Sequence, residues 1–378
     1  MLIADRGWML EVPQRAAALP QSAISDQQSA IPPMLPWFNN AFPLYLAPMA
    51  GVTDTVFRRL CKDQGADVVV TEFVSAEGIF RRNARTLEYL DFHESERPLG
   101  IQLFGGDPDH LAEAARIAVE WKQPDFLDLN FGCPVNKVVS KHGGSSLLRD
   151  CPLLERVARA VVRAAAPCPV TAKIRIGWDR SSVNAVTTAR LLADAGVQAI
   201  AVHGRTKEQG YSGEADWDVI AQVVQAVDIP VIGNGDLTSP ALVRLRREQT
   251  GVAGVMLGRG AMSAPWIFRE IHEYLDTGLL PHPMPLPAQW AFIRRHCALA
   301  VAHSGEEPHT MAGMRSRLMA YSRRMPAARQ LREQFSAVSS LAALAAIATA
   351  HLADHSHPSH SSHPPLPSLR LAPAASPS

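Results

Sequence analysis

Eight short runs rich in Val, Ile and Leu, separated by Ala-, Arg- and Leu-rich stretches with helical spacing, constrain this chain more than any other feature. They fall at Leu44–Ala47, Asp67–Glu72, Leu99–Phe104, Phe126–Asn130, Val170–Ile176, Ala199–His203, Val231–Asn234 and Gly254–Leu257. Strands that alternate with helices build a parallel sheet, and eight is the number that closes such a sheet into a barrel. An open doubly wound sheet also alternates, but it usually opens on Gly-x-Gly-x-x-Gly. Here the first strand runs into Pro48-Met49-Ala50-Gly51 instead. The expected fold class is α/β, a TIM (β/α)8 barrel followed by a smaller all-α helical domain.

The flanks differ in composition. Residues 1–40 carry Pro13, Pro20, Pro32, Pro33 and Pro36 among Ala, Gln and Ser, and are expected to be a disordered extension, with Met34 a candidate start. The barrel is expected over 41–284. From 285 to 353 the register becomes helical, over Gln289–Ala302, Met311–Arg324 and Ala327 to about residue 352, with breaks at Pro308 and Pro326. Residues 354–378 form a Ser/His/Pro-rich tail holding His355, His357, His360 and His363, expected to be disordered rather than metal-binding. Five scattered cysteines make neither a metal spacing nor a disulfide framework, which suits a reducing cytoplasm. Asp5, Arg6 and Glu11 interrupt any signal-peptide core, and no apolar run approaches the roughly 20 residues of a membrane span. With 37 basic and 36 acidic residues there is no global field, so any surface for a polyanion must be local.

A barrel places its chemistry where strands end, on the C-terminal face. Polar residues and Gly-rich turns sit there throughout: Pro48-Met49-Ala50, Glu72, Gln102, Asn130 leading to Cys133, Lys173 with Arg175, His203-Gly204-Arg205, Asn234-Gly235-Asp236 and Gly258-Arg259. Singly, Cys133 reads as a buried structural thiol, Lys173 as a snorkelling lysine, His203 as a core histidine and Asn234 as a turn residue. Eight such strand ends in succession do not. The residue types point to a flavin. The turns after the seventh and eighth strands suit a phosphate, and Arg259 adds a permanent cation. Gln102 and Asn130 offer amides for the edge of an isoalloxazine ring, and Lys173 a positive charge where a reduced flavin gathers negative charge.

These motifs together resemble the tRNA-dihydrouridine synthases: Leu46-Ala47-Pro48-Met49-Ala50-Gly51-Val52-Thr53-Asp54, Gln102-Leu103-Phe104-Gly105, Asn130-Phe131-Gly132-Cys133-Pro134, Lys173-Ile174-Arg175, His203-Gly204-Arg205-Thr206, Asn234-Gly235-Asp236 and Gly258-Arg259-Gly260-Ala261. The likeness runs from about residue 44 to about 345. It implies an FMN-bearing barrel with a helical domain that reduces a uridine of tRNA using NADPH. By that likeness the flavin contacts fall on Pro48, Met49, Ala50, Gln102, Lys173, His203, Asn234, Gly235, Asp236, Gly258 and Arg259, and Cys133 is the proton donor. Substrate contacts are expected from Asn130, Lys137 and Arg205, and no metal is expected.

The chemistry supports that role for Cys133. Reducing the uracil C5–C6 bond needs a hydride at C6 and a proton at C5, and a thiol with pKa near 8.5 is mostly protonated yet able to release its proton. Lys137 and Lys141 are expected to lower that pKa, with His142 the next candidate donor. The helical domain carries Arg294, Arg295, Arg315, Arg317, Arg323, Arg324, Arg329 and Arg332 against Glu306, Glu307 and Glu333. That local excess is expected to grip tRNA phosphates, chiefly through Arg315, Arg317, Arg323 and Arg324. A monomer is expected. Two other functions stay open on the sequence: an FMN barrel of dihydroorotate-dehydrogenase type, disfavoured by Gly132 and the arginines, and a non-catalytic tRNA binder, disfavoured by the full set of flavin-type residues.

Overall fold

Strand register explains how this chain closes on itself. The computed structural model describes residues 35–39, 41–135 and 143–355. Its strands are β1 (Leu44–Leu46), β2 (Val68–Val70), β3 (Val74–Ser75), β4 (Leu99–Phe104), β5 (Phe126–Phe131), β6 (Val170–Arg175), β7 (Ala199–His203), β8 (Val231–Asn234) and β9 (Gly254–Leu257). All pair in parallel. β1 pairs with both β2 and β9, β2 pairs with β4, and the order then runs from β4 to β9 without a gap. Eight strands thus close the expected barrel, and β3 is a two-residue addition along the end of β4. Among the described residues no helix is long and apolar enough to cross a membrane.

Side chains alternate across each strand, so every second residue faces the barrel axis. Leu127, Leu129 and Phe131 of β5 pack outward against the helices, which leaves Phe126, Asp128 and Asn130 inside. In β6 the outward set is Val170, Ala172 and Ile174, and the inward set is Thr171, Lys173 and Arg175. The interior is layered along the axis. Tyr45, Val68, Val70, Phe126, Ala199, Ala201, Ile232 and Met256 make an apolar lower half, and the polar inward residues stand above it.

Leu35 and a short 3-10 turn, Pro36–Phe38, close the lower end. Leu35 is fully buried, Trp37 lies 5.3 Å from Phe126 ring to ring, and its Nε1 donates to the Tyr45 hydroxyl. Burying each such side chain contributes about 1.5–3 kcal/mol toward ordering this segment. The boundary expected near residue 40 therefore moves back, because Leu35–Asn39 belong to the barrel. Residues 1–34, Met34 among them, and the tail from 356 lie outside the described residues.

Beyond the barrel come helices Leu286–Ser304, Glu307–Ser322, Ala328–Phe335 and Leu341–Asp354. The single helix expected from Ala327 to about 352 is in fact two. Ser340 starts the second by accepting the Ala343 N–H at 3.1 Å, a capping preference visible in its residue type. These helices share a second apolar cluster, including Trp290, Phe292, Met311, Leu318, Tyr321 and Phe335. Val56 and Leu60 of the first barrel helix, Thr55–Asp63, and Trp266 join it.

The same Thr55–Asp63 helix is anchored by a buried ion pair. Arg58 Nε donates to Glu96, which is fully buried, and Arg58 Nη1 donates to the Thr53 carbonyl at 2.8 Å. The other Glu96 oxygen accepts from Thr55 Oγ1 and from the His93 N–H. Removing one member strands a buried charge, so Glu96→Ala is expected to lower stability by about 3–5 kcal/mol, read as a shift in the urea unfolding midpoint. A shift below about 1 kcal/mol would show that the pair is dispensable.

Candidate active site

The turn that carries Cys133 is set by a relay of side chains running across three strands. Thr171 Oγ1 and Gln102 Nε2 both donate to the Asp128 carboxylate at 2.6 Å. A carboxylate only accepts, so Gln102 must aim its NH2 at Asp128 and its carbonyl at Asn130, whose Nδ2 donates to it at 2.7 Å. Asn130 then has its own Oδ1 turned toward the loop, where it accepts the Gly132 N–H at 3.1 Å and the Cys133 N–H at 2.9 Å. The β4–β5 and β5–β6 registers make this possible, setting Gln102 beside Asp128 and Asn130 beside Lys173. Burial pushes the Asp128 carboxyl above its ordinary range, against the opposing pull of the Thr171 and Gln102 hydrogen bonds and the Lys173 charge.

Two further contacts pin the turn. Arg175 Nε donates to the Gly132 carbonyl at 3.0 Å, and its Nη1 reaches the Thr206 and Gly210 carbonyls at 2.8 and 2.9 Å. The Cys133 carbonyl accepts from the Ser145 N–H at 3.1 Å and its Oγ at 2.9 Å. Cys133 itself is 8% exposed. Burial raises the pKa of its thiol, with the Val135 N–H and the charges of Arg175 and Lys173 acting against that rise. Lys137, Lys141 and His142, assigned tuning and reserve roles from the sequence, lie outside the described residues.

Around the remaining strand ends the mouth is cationic. Lys173 Nζ donates to Asn234 Oδ1 at 3.3 Å, and Asn234 Nδ2 to the Met256 carbonyl at 2.7 Å. Burial, with the neighbouring Arg175 charge, lowers the Lys173 pKa to about 8. His203 is held neutral, far below the usual imidazole range, by burial first and then by Lys173, Arg175, Arg205 and Arg259. Asp236 joins two of those arginines. Its Oδ2 accepts from Arg205 at 2.7 Å and from the Ala215 N–H at 2.8 Å, and its Oδ1 accepts from Arg259 at 2.8 Å. Burial opposes its ionisation, but these bonds and charges keep its carboxyl below the ordinary range. The turn requires glycine at 235, where φ is +135° and a Cβ would sit 2.5 Å from the Ala215 Cβ.

A cavity of about 380 Å³ opens beside this turn, lined by Tyr211, Trp217, Asp236, Arg246 and Arg259 among others. Tyr211 is 61% exposed, with the Arg259 guanidinium 4.7 Å from its ring centre. At the neighbouring end of β1, Met49 is tied to Thr53: its N–H donates to Thr53 Oγ1 at 2.9 Å, and its carbonyl accepts the Thr53 N–H at 3.0 Å. Pro48 and Met49 are half-buried at the rim and Ala50 is exposed. Gly258 lies against Met49, whose sulfur would stand 3.6 Å from a Cβ there.

Most of the residues singled out by sequence thus meet at one mouth, but five are placed differently from expectation. Gln102 is wholly buried and engaged with Asn130 and Asp128. Arg205, expected at the substrate, is 1% exposed and spent on Asp236 and the Ser212 and Gly213 carbonyls. Arg317 pairs with Asp54 at 2.8 Å, and Arg324 donates to the Thr238 carbonyl. Arg315 donates to the Val338 carbonyl at 2.9 Å; Arg323 and Arg324 are both exposed, and of that expected quartet Arg323 alone has neither an ion pair nor a side-chain hydrogen bond among the described residues. Asp128, Thr171 and Ser145 were not marked by sequence reasoning. For Asp128 the signal was its position two residues before Asn130, on the same inward face.

A parallel barrel with a protonated thiol, a lysine and an arginine cluster at its C-terminal mouth defines a β/α-barrel enzyme. The family model described as dihydrouridine synthase matches residues 45–355. The chain is 46% identical over 294 residues to tRNA-dihydrouridine synthase B of Pseudomonas aeruginosa, covering 78% of this chain and 87% of that one. It is 43% identical to the protein of the same name in Pseudomonas putida over the same shares, and 45% identical to that of Xanthomonas campestris pv. campestris over 66% and 73%. The chain belongs to the dihydrouridine synthase family.

The raised thiol pKa has a direct consequence. Alkylation of Cys133, followed at the peptide level by mass spectrometry, is expected to keep accelerating as pH rises beyond the ordinary thiol value of about 8.5. A plateau below pH 8 would mean that the nearby cations outweigh burial.

Proposed function

We propose that this enzyme reduces the C5–C6 double bond of a uridine in tRNA, with FMN as its bound redox group and NADPH as the reductant. The observation that carries the reading is the thiol of Cys133, kept protonated by burial on a turn held by Asn130 and Arg175. A general acid must hold its proton until the transition state, and a buried thiol at neutral pH does so.

The mouth suits FMN. Burial first, and then the charges of Lys173, Arg175, Arg205 and Arg259, depress the His203 pKa, and those four clustered cations would suit an anionic cofactor. The residues that would hold it are Pro48, Met49, Ala50, Lys173, His203, Asn234, Gly235, Asp236, Gly258 and Arg259. Arg259 and the two glycine turns suit its phosphate. Gln102 contributes by orienting Asn130. When bound and recharged by NADPH, FMN supplies the hydride that reaches C6 of the uracil. Lys173, with a pKa near 8, carries most of its charge at pH 7, where it favours negative charge gathering nearby. Cys133 delivers its proton to C5, and Arg175 favours the thiolate left behind. The uridine must leave its stack to enter this mouth, which costs a few kcal/mol and is offset by contacts to the rest of the RNA.

Those outer contacts fall to the helical domain, 285–353. Arg294, Arg323 and Arg332 are exposed and make no ion pair among the described residues. The protein acts as a monomer in the cytoplasm, where its five free cysteines stay reduced.

Purified protein is expected to release FMN on heating and, with NADPH, to form dihydrouridine in tRNA. Cys133→Ala is expected to keep the flavin and its reduction by NADPH while forming dihydrouridine at least ~100-fold more slowly. Near-normal product formation by that variant would return Cys133 to a structural role. Replacing Arg294, Arg323 and Arg332 with Gln is expected to weaken tRNA binding and flatten its salt dependence. Each lost phosphate contact should lower the slope of log affinity against log salt by roughly 0.7–0.9. An unchanged slope would place the tRNA on another surface.

A further inference from the structure

Arg317 belongs by sequence to an arginine-rich surface, yet its side chain is 11% exposed and turned toward the barrel. Its Nη2 donates to Asp54 Oδ2 at 2.8 Å and lies 3.4 Å from the Val52 carbonyl. Both acceptors are in Met49–Asp54, the loop between β1 and the Thr55–Asp63 helix. The other ties on this loop come from within the barrel. Thr53 Oγ1 holds the Met49 N–H, Glu72 holds the Gly51 N–H at 2.8 Å, and Arg58 holds the Thr53 carbonyl. Asp54 Oδ1 is also occupied, accepting the Phe57 N–H at 2.9 Å as the helix cap.

Docking alone does not account for Arg317. The apolar cluster that includes Val56, Leu60, Trp266, Trp290 and Phe292 already joins the C-terminal helices to the barrel. Arg295 pairs with Asp63 at the far end of the same barrel helix, at 2.6 Å. Moreover the Arg317 Nε is buried without a partner among the described residues, and an unsatisfied buried donor costs stability. A purely adhesive position would be better served by an apolar side chain of similar volume. What the guanidinium adds is a hold on loop backbone that carries Met49 and Ala50.

We propose that Arg317 is a positioning residue which, through Asp54 and Val52, fixes the Met49–Asp54 loop for cofactor binding. The C-terminal helices thereby complete the flavin site from outside the barrel. The inference rests on the FMN reading above, and it takes Arg317 out of the phosphate-contacting set.

The test uses the full-length protein stripped of flavin and titrated with FMN, following flavin fluorescence and the visible absorption bands. Arg317→Gln is expected to raise the FMN dissociation constant about tenfold, the loss typical of one charge-assisted hydrogen bond, and to shift the flavin bands. Asp54→Asn keeps an equally good helix cap while removing the charge, so it is expected to give the same change. The double variant should add little to either single one. Arg317→Lys should recover part of the affinity, whereas Arg295→Ala should bind FMN within twofold of wild type. The salt slope of tRNA binding should stay at the wild-type value in Arg317→Gln. Unchanged FMN affinity and spectrum in both Arg317→Gln and Asp54→Asn would overturn the proposal. So would a salt slope lowered by roughly 0.7–0.9, which would make Arg317 a phosphate contact. A wild-type protein that binds no FMN would fail the cofactor reading itself, a result separate from these.

Discussion

A closed barrel gives an inward side chain only two outlets, its ends, and everything else in this protein follows from how that interior is filled. Tyr45, Val68, Phe126 and Ile232 make its lower half apolar, and Leu35 and Trp37 seal it from below. Polar groups above that floor cannot reach water downward, so they must satisfy one another or face the upper mouth. Alternation along β5, β6 and β7 puts Asn130, Lys173, Arg175 and His203 at that level. The fold thus collects its titratable groups at one end.

The relay from Asp128 through Gln102 to Asn130 is where that constraint becomes chemistry. Each amide has two possible orientations, and an acceptor-only group at one end removes the choice from both. The Cys133 turn therefore inherits its geometry from a carboxylate on its own strand that does not contact it. Burial and charge then compete over the thiol. Burial prevails over the opposing Val135 N–H and the charges of Arg175 and Lys173, so the thiol lies above its ordinary range. A thiol that keeps its proton, set among cations that favour the thiolate once the proton has left, suits the proton delivery proposed for Cys133.

The arginines of the C-terminal helices divide into two kinds despite their similar spacing. Arg317, Arg315 and Arg324 bond to groups within the chain, Arg324 from an exposed position, whereas the exposed Arg294, Arg323 and Arg332 make no ion pair among the described residues. An exposed arginine is available to a polyanion. One whose guanidinium is already satisfied would have to break a charge-assisted bond first, giving up about 1.5–3 kcal/mol. Surface charge counted from sequence therefore overstates the phosphate-binding face.

The eight barrel strands were legible in the sequence because a strand buried on both faces must be apolar over most of its length. Cys133, Lys173, His203, Asn234 and Arg259 were legible because a barrel admits polar groups mainly where strands end. The final helix pair was misread as one helix, although Ser340 carried a capping preference that marked the break. Partnership was not legible. Nothing local says that Asp128 orients an amide on β4, that Arg205 is consumed by Asp236, or that Arg317 reaches Asp54. Nor does a Pro-rich approach announce that Leu35 and Trp37 will close the barrel. Sequence periodicity determined which face of its own element each residue occupies. Which residue it meets there was decided only when the sheet closed, since closure fixes the register between strands far apart in the chain and so selects the pairs.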